Sequence, residues 1–193
     1  MLDLYSYIIE ERFSVNGTYS TKILLFDVDD TLIHSNVKVY VKKDGEVIKK
    51  LSSSEYNSYK LQPGESFDYT EFKDENILNN NSVFLKYWDT LQREYRQGTH
   101  IGILTARASK DMFYRFFKNN GIDIKQELVF AISDPSIRLK GKTIEDRKAE
   151  VIKRLAKWGY RTIVFFDDNI DNLKTAKKLE SQCSIKIHTV QAK

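Results

Sequence analysis

The sequence predicts an α/β protein built around a parallel sheet. Five short apolar runs recur along the chain, at residues 23–28, 101–104, 128–132, 163–166 and 185–190. The first four are continuous rather than alternating, as in strands covered on both faces. Amphipathic helical stripes lie between them, and strand alternating with helix is the pattern of parallel strands joined by crossovers.

The helices follow in order. Val83, Phe84, Tyr87, Trp88, Leu91 and Tyr95 repeat at helical spacing, with polar residues 80–82 before them and Gly98 after. Met112, Phe113, Phe116 and Phe117 form a second stripe, opened near Ser109 and closed by Gly121. Ile144, Val151, Ile152 and Leu155 form a third, opened by Thr143 and closed by Gly159. Leu173, Ala176 and Leu179 mark a fourth.

One stretch breaks the rhythm. Val37-Lys38-Val39-Tyr40-Val41 alternates as a strand does, Lys43-Asp44-Gly45 supplies a turn, and Val47-Ile48 begins a return strand. A polar segment follows with Pro63-Gly64 and the aromatics Tyr56, Tyr59, Phe67, Tyr69 and Phe72. The expected organisation is one domain over 1–193, with its core at about 20–34 and 82–193 and a hairpin-containing insertion at about 35–81. The insertion is expected to lie over the carboxyl end of the sheet as a substrate cover; a decorative surface hairpin is the alternative.

Composition narrows the classes. Hydrophobic residues make up 41% of the 193, enough for a real core. The formal charge of +4, from 31 basic and 27 acidic residues, suits phosphorylated substrates but does not by itself indicate a nucleic-acid binder. Cys183 stands alone, so no disulfide can form within the chain, which favours a reducing, cytoplasmic compartment. No apolar run is long enough to span a bilayer, and the acidic amino terminus is a poor signal peptide. Asn16-Gly17-Thr18 matches a glycosylation sequon but reads better as a turn.

The chemistry-bearing residues lie at strand ends. The first strand runs into Asp27-Val28-Asp29-Asp30-Thr31, and the fourth into Asp167 and Asp168, with Asp171 close behind. Carboxylates after an apolar strand are costly unless a cation sits there, and ligands of open α/β sheets bind at the carboxyl ends of strands. Two acidic strand ends facing one crevice make an all-oxygen site suited to Mg²⁺. His34, His100 and His188 share no spacing and read as structural, which argues against zinc.

These motifs resemble those of the haloacid dehalogenase (HAD) superfamily over roughly 22–190. DVDDT matches the DxDxT signature, and Ile103-Leu104-Thr105 matches the second motif. Lys148 can be the third, and Phe165-Phe166-Asp167-Asp168-Asn169 with Asp171 matches the fourth. The resemblance implies a Rossmann-like fold with a small cap, an Mg²⁺-dependent phosphatase, and a role for each matched position. Asp27 would attack phosphorus, and Asp29 would serve as acid and then base; Asp30 is its rival by position. Thr105 would bind a phosphoryl oxygen, and Lys148, with Lys140 and Lys142 as rivals, would neutralise charge. Asp27, Asp167 and the backbone of Asp29 would hold the metal, with Asp168 and Asp171 completing the shell or orienting Lys148. Asp171 alternatively favours the start of the next helix, and Thr31 caps the turn. Arg107 would clamp a second phosphate or form a surface salt bridge.

For substrate, the arrangement is similar to the phosphatase half of phage polynucleotide kinases and to small phage-encoded HAD hydrolases. Lys38, Lys42, Lys43, Lys49 and Lys50 in the insertion, and Arg138, Lys140 and Lys142 in the loop 133–142, point to a nucleotide or a nucleic-acid end, with insertion aromatics available for stacking. DVDDTLIHS is also similar to the start of phosphatases acting on the polymerase tail, so a phosphoprotein phosphatase is the second reading. A non-catalytic HAD-like binding module is the third, although the complete set of motif residues speaks for catalysis.

Overall fold

The computed structural model describes residues 14, 15 and 18–193. The character of the amino terminus and the Asn16-Gly17 turn lie outside the described residues, although the flanking Ser14–Val15 and Thr18–Tyr19 pair antiparallel. The chain divides into two compact units: one contains Phe84–Lys193 and the segment that ends at Ile33, and the other is His34–Val83.

The first unit is α/β, with a five-stranded sheet that is parallel throughout. Its strands are β1 (Lys22–Phe26), β2 (His100–Thr105), β3 (Val129–Ala131), β4 (Thr162–Asp167) and β5 (Lys186–Gln191), in the spatial order β3-β2-β1-β4-β5. The order is compatible with a Rossmann-like fold. The chain starts in the middle, moves outward to β3, and crosses back to the other side of β1. Crossovers between parallel strands are right-handed as a rule, which with this strand order puts helices on both faces. On one face, α1 (Lys86–Arg96) and α2 (Lys110–Asn119) meet through Trp88 and Phe117, with ring centroids 5.7 Å apart. On the other, α3 (Ile144–Lys157) packs on α4 (Ile170–Lys177). The continuous apolar runs fill the layer between; every residue of β2 is buried.

The structure moves several expected boundaries. Val83 and Phe84 belong to a strand, Ser82–Phe84, that pairs with Ile33–Ser35; the helix begins only at Lys86. Leu128 lies in a 3-10 turn, Gln126–Leu128, ahead of β3. The fourth stripe is shared between α4 and α5 (Leu179–Cys183), because the chain turns at Lys178. In α3 the buried stripe opens at Lys148 rather than Ile144, which is exposed. A lysine thus takes an inward position that hydrophobicity alone assigns to an apolar residue.

The second unit forms around a three-stranded antiparallel sheet. Val39–Lys43 is central, flanked by Glu46–Leu51 and Glu65–Asp68. The hairpin turns at Asp44 (φ 52°) and Gly45 (φ 85°), both left-handed, as a two-residue turn of the primed type requires. The third strand carries no sequence signal strong enough to announce it. Val39, Val41 and Leu51 make a small core, and Tyr56, Tyr59, Phe67 and Phe72 pack against it. Four of the five aromatics that sequence offers for base stacking therefore pack on the unit's own core. The expectation of a basic insertion is corrected as well. Seven lysines face eight carboxylates between His34 and Val83. The Lys42 ammonium meets Asp68 at 2.6 Å, and Glu71 accepts from the Lys38 N–H at 2.7 Å and from the Tyr40 hydroxyl. Among the described residues, no helix is long and apolar enough to cross a membrane.

Gly102 sits opposite Leu25 across the β1–β2 ladder, and a Cβ there would come within 3.0 Å of Leu25 Cδ1 and 3.1 Å of Ile23 Cδ1. Gly102→Ala is expected to cost about 1–3 kcal/mol through overpacking. Urea unfolding followed by circular dichroism measures this; an unchanged midpoint would show that the ladder has slack.

Candidate active site

The strand order reverses between β1 and β4, and such a switch point opens a crevice at the carboxyl ends of the strands. Register then decides which side chains face each other there. Phe26 pairs with Phe166, their rings stacked 4.4 Å apart, and the Asp27 N–H donates to the Phe166 carbonyl at 2.9 Å. Asp27 and Asp167, 140 positions apart in sequence, thus come off adjacent strands side by side.

Lys148 lies between them. Its ammonium donates to Asp27 Oδ1 at 2.8 Å and to Asp167 Oδ2 at 2.7 Å. The three groups are nearly dry, with Lys148 at 3%, Asp27 at 5% and Asp167 at 0% exposure. The helix start explains why a lysine reaches this point. Thr143 caps α3 in a reciprocal box with Asp146, which sets the helix phase, and Lys148 falls on the inward stripe with Val151, Ile152 and Leu155. Lys140 and Lys142, its rivals by sequence, are exposed in the preceding loop.

Asp168 completes a group of carboxylates. Asp27, Asp167 and Asp168 each bring an oxygen within 4.8 Å of the others. Burial, with Asp167 adding repulsion, pushes the Asp27 carboxyl well above its ordinary value in spite of Lys148. Burial and Asp167 also raise Asp168. Burial works against the Lys148 charge, but Asp27 and Asp167 outweigh it and its pKa rises. Three carboxylates against one ammonium leave uncompensated negative charge in a low-dielectric site. An oxygen-ligated divalent cation matches that donor set, so the residues fit Mg²⁺.

Asp29 belongs to a separate pair. Its carboxylate accepts from Arg107 Nε at 2.9 Å and Nη2 at 2.5 Å, and it keeps 28% exposure while the Arg107 side chain keeps 2%. Arg107 is therefore not a surface salt bridge; its buried guanidinium engages Asp29. Thr105 is buried, with its Oγ1 accepting from the Arg107 N–H at 3.2 Å. Thr31 does not cap the turn. Its Oγ1 is buried with no hydrogen-bond partner among the described residues, and backbone bonds from Thr31, Leu32 and Ile33 to the Val28 carbonyl close the turn instead. Asp171 takes the second of its two expected roles. It stands outside the carboxylate group at 68% exposure, in the first turn of α4 and 3.8 Å from Lys174, where its charge complements the helix terminus. His100 is buried, its Nδ1 3.0 Å from the Tyr160 hydroxyl, while His34 and His188 are exposed.

Asn169, part of the fourth motif, and Asn172, which escapes a motif reading, both serve Asp167. Asn169 donates its N–H to Asp167 Oδ1 at 2.9 Å, and Asn172 donates its amide to both Asp167 oxygens at 2.9 and 3.1 Å. The only signal in sequence is an asparagine beside the apolar stripe of Leu173 and Ala176, just after an acidic strand end. No known family, curated protein or solved structure matches the chain.

The raised Asp27 pKa has a testable consequence. The folded chain holds that proton more tightly than the unfolded chain. The group's contribution to stability is therefore lost as pH rises from the ordinary carboxylate value through the raised one. Asp27→Asn removes the penalty. Without added metal, the margin of its melting temperature over that of the wild type, whatever its sign, should shift in the variant's favour as pH rises above the ordinary carboxylate value. A constant or shrinking margin in scanning calorimetry would contradict the assignment.

Proposed function

We propose that this chain is a magnesium-dependent phosphomonoester hydrolase of the HAD type, acting through an aspartyl-phosphate on Asp27. The observation that supports this best is the Lys148 ammonium held between Asp27 and Asp167, with Asp168 alongside, at the sheet's switch point. Mg²⁺ held by Asp27, Asp167, Asp168 and the Asp29 backbone carbonyl would supply charge neutralisation for the phosphoryl group.

The protein's own residues divide the rest. An Asp27 oxygen attacks phosphorus, the bond from phosphorus to the ester oxygen breaks, and Asp29 delivers a proton to the departing oxygen. Water then attacks the aspartyl-phosphate and gives its proton to Asp29, releasing inorganic phosphate and restoring Asp27. Lys148 offsets charge on Asp27 and the transferring group, and the Thr105 hydroxyl proton donates to a phosphoryl oxygen. Arg107 acts as a positioning residue by holding Asp29 with two N–H groups; the partial exposure of Asp29 leaves it open to substrate and water. In chain order, His34–Val83 occupies the place of the family's cap. The exposed Arg138, Lys140 and Lys142, on the loop that leaves β3 at the carboxyl end, favour an anionic substrate such as a nucleotide or a 3′-phosphorylated polynucleotide end.

A chelator should abolish hydrolysis of an aryl phosphate by the wild type, and Mg²⁺ should restore it, while Asp27→Asn stays at background in both. A panel of nucleoside monophosphates, 3′-phosphorylated oligonucleotides, sugar phosphates and a phosphoserine peptide should then show highest kcat/KM for a nucleotidic member. Full activity in chelator would refute the metal site, and preference for the peptide would favour the phosphoprotein reading.

Arg107 separates two roles by kinetics. As a positioning residue, its change to Lys loses the two-pronged grip on Asp29 and should lower kcat by about 10- to 100-fold with little change in KM. A raised KM at unchanged kcat would instead make it a substrate phosphate clamp.

A further inference from the structure

We infer that Asn172 is a positioning residue that sets the affinity of the carboxylate group for a divalent cation. The inference rests on the metal reading above. Asp167 is fully buried, and a dry carboxylate needs donors on both oxygens. Its Oδ1 takes the Asn169 N–H and the Asn172 amide, and its Oδ2 takes Lys148 and again the Asn172 amide. Asn172 is the only one of these donors, among the described residues, that reaches both oxygens. It therefore fixes the rotation of the carboxylate as well as its charge.

The amide can face in only one direction. Its carbonyl end toward Asp167 would set oxygen against oxygen, so the NH₂ end points at the carboxylate and Oδ1 points away. That Oδ1 is buried and has no hydrogen-bond partner among the described residues, in a residue only 4% exposed. A buried amide with one end unmatched is unfavourable on its own account. Its position on the inner side of α4, next to Leu173 and Ala176, is one where an apolar side chain would pack without that cost. The grip on Asp167 is what the asparagine offers in return. Groups that orient a metal ligand through a hydrogen bond typically change metal affinity by about 10- to 100-fold when removed.

The test is a titration of the full chain with Mn²⁺, read from the electron paramagnetic resonance signal of free Mn²⁺, with thermal melts recorded without metal. The wild type is expected to bind. Asn172→Leu keeps the approximate shape but removes the donor, and should weaken Mn²⁺ binding by about 10- to 100-fold. Asn172→Ser retains one shorter donor and should fall between the two. A folded Asn172→Leu with wild-type affinity overturns the inference, whatever its melting temperature. If that variant shows no cooperative melt, Asn172→Ser decides: wild-type affinity overturns the inference and intermediate affinity supports it. Absence of Mn²⁺ binding by the wild type itself overturns the metal reading, an outcome distinct from a failure of Asn172 alone.

Discussion

The structure depends on one buried interaction, the Lys148 ammonium held between Asp27 and Asp167. Removing one member of such a group leaves an uncompensated charge away from water, which is among the most destabilising changes a core can suffer. The fold is arranged around that constraint. Two adjacent parallel strands deliver the acids, and the Phe26–Phe166 stack beneath them holds the register. The capping box at Thr143 sets the phase of the helix that delivers the lysine. The start of α4, capped by Asn169, brings the Asn169 N–H to Asp167, where a helix terminus favours negative charge. Even so, one ammonium does not balance three carboxylates; burial, with repulsion from Asp167 added, raises the pKa values of Asp27 and Asp168.

Asp29, only two residues from Asp27, lives in a different environment. It is partly exposed and held by an arginine from the loop after β2, while Asp27 is buried and held by a lysine from α3. Asp27 follows directly on β1, while Asp29 lies past its end, at the turn that closes on the Val28 carbonyl. Under the proposed function, that separation distinguishes the nucleophile from the acid–base group, since the first is gripped by a fixed charge and the second stays within reach of water.

The second unit shows how residue types mislead when their partners are not yet known. A run of lysines beside a run of aromatics resembles a surface for polyanions and bases. Once folded, Tyr56, Tyr59, Phe67 and Phe72 pack on a core of three buried apolar residues, and Asp68, from later in the segment, returns to pair with Lys42. A unit this small has few large aliphatic side chains, so its aromatics are needed for burial.

The sequence by itself determined the layer architecture, because continuous apolar runs and helical stripes are local patterns that burial on two faces imposes. It also determined that carboxylates gather at two strand ends, since acids directly after apolar strands are legible from spacing alone. The hairpin turn at Asp44-Gly45 was equally local. Only the tertiary structure decided that Lys148, and not Lys140 or Lys142, enters the carboxylate group, and that Asp168 joins it while Asp171 faces solvent. It alone paired Arg107 with Asp29 and Asn172 with Asp167. The reason is physical: the three lysines lie within nine positions of one another, but only Lys148 falls on the helix, whose phase, set by one capping box, turns it inward, while Lys140 and Lys142 stay in the exposed loop before it. The decisive contacts join residues 19, 78 and 121 positions apart, or depend on which side of a helix faces the sheet, and neither is written in local spacing.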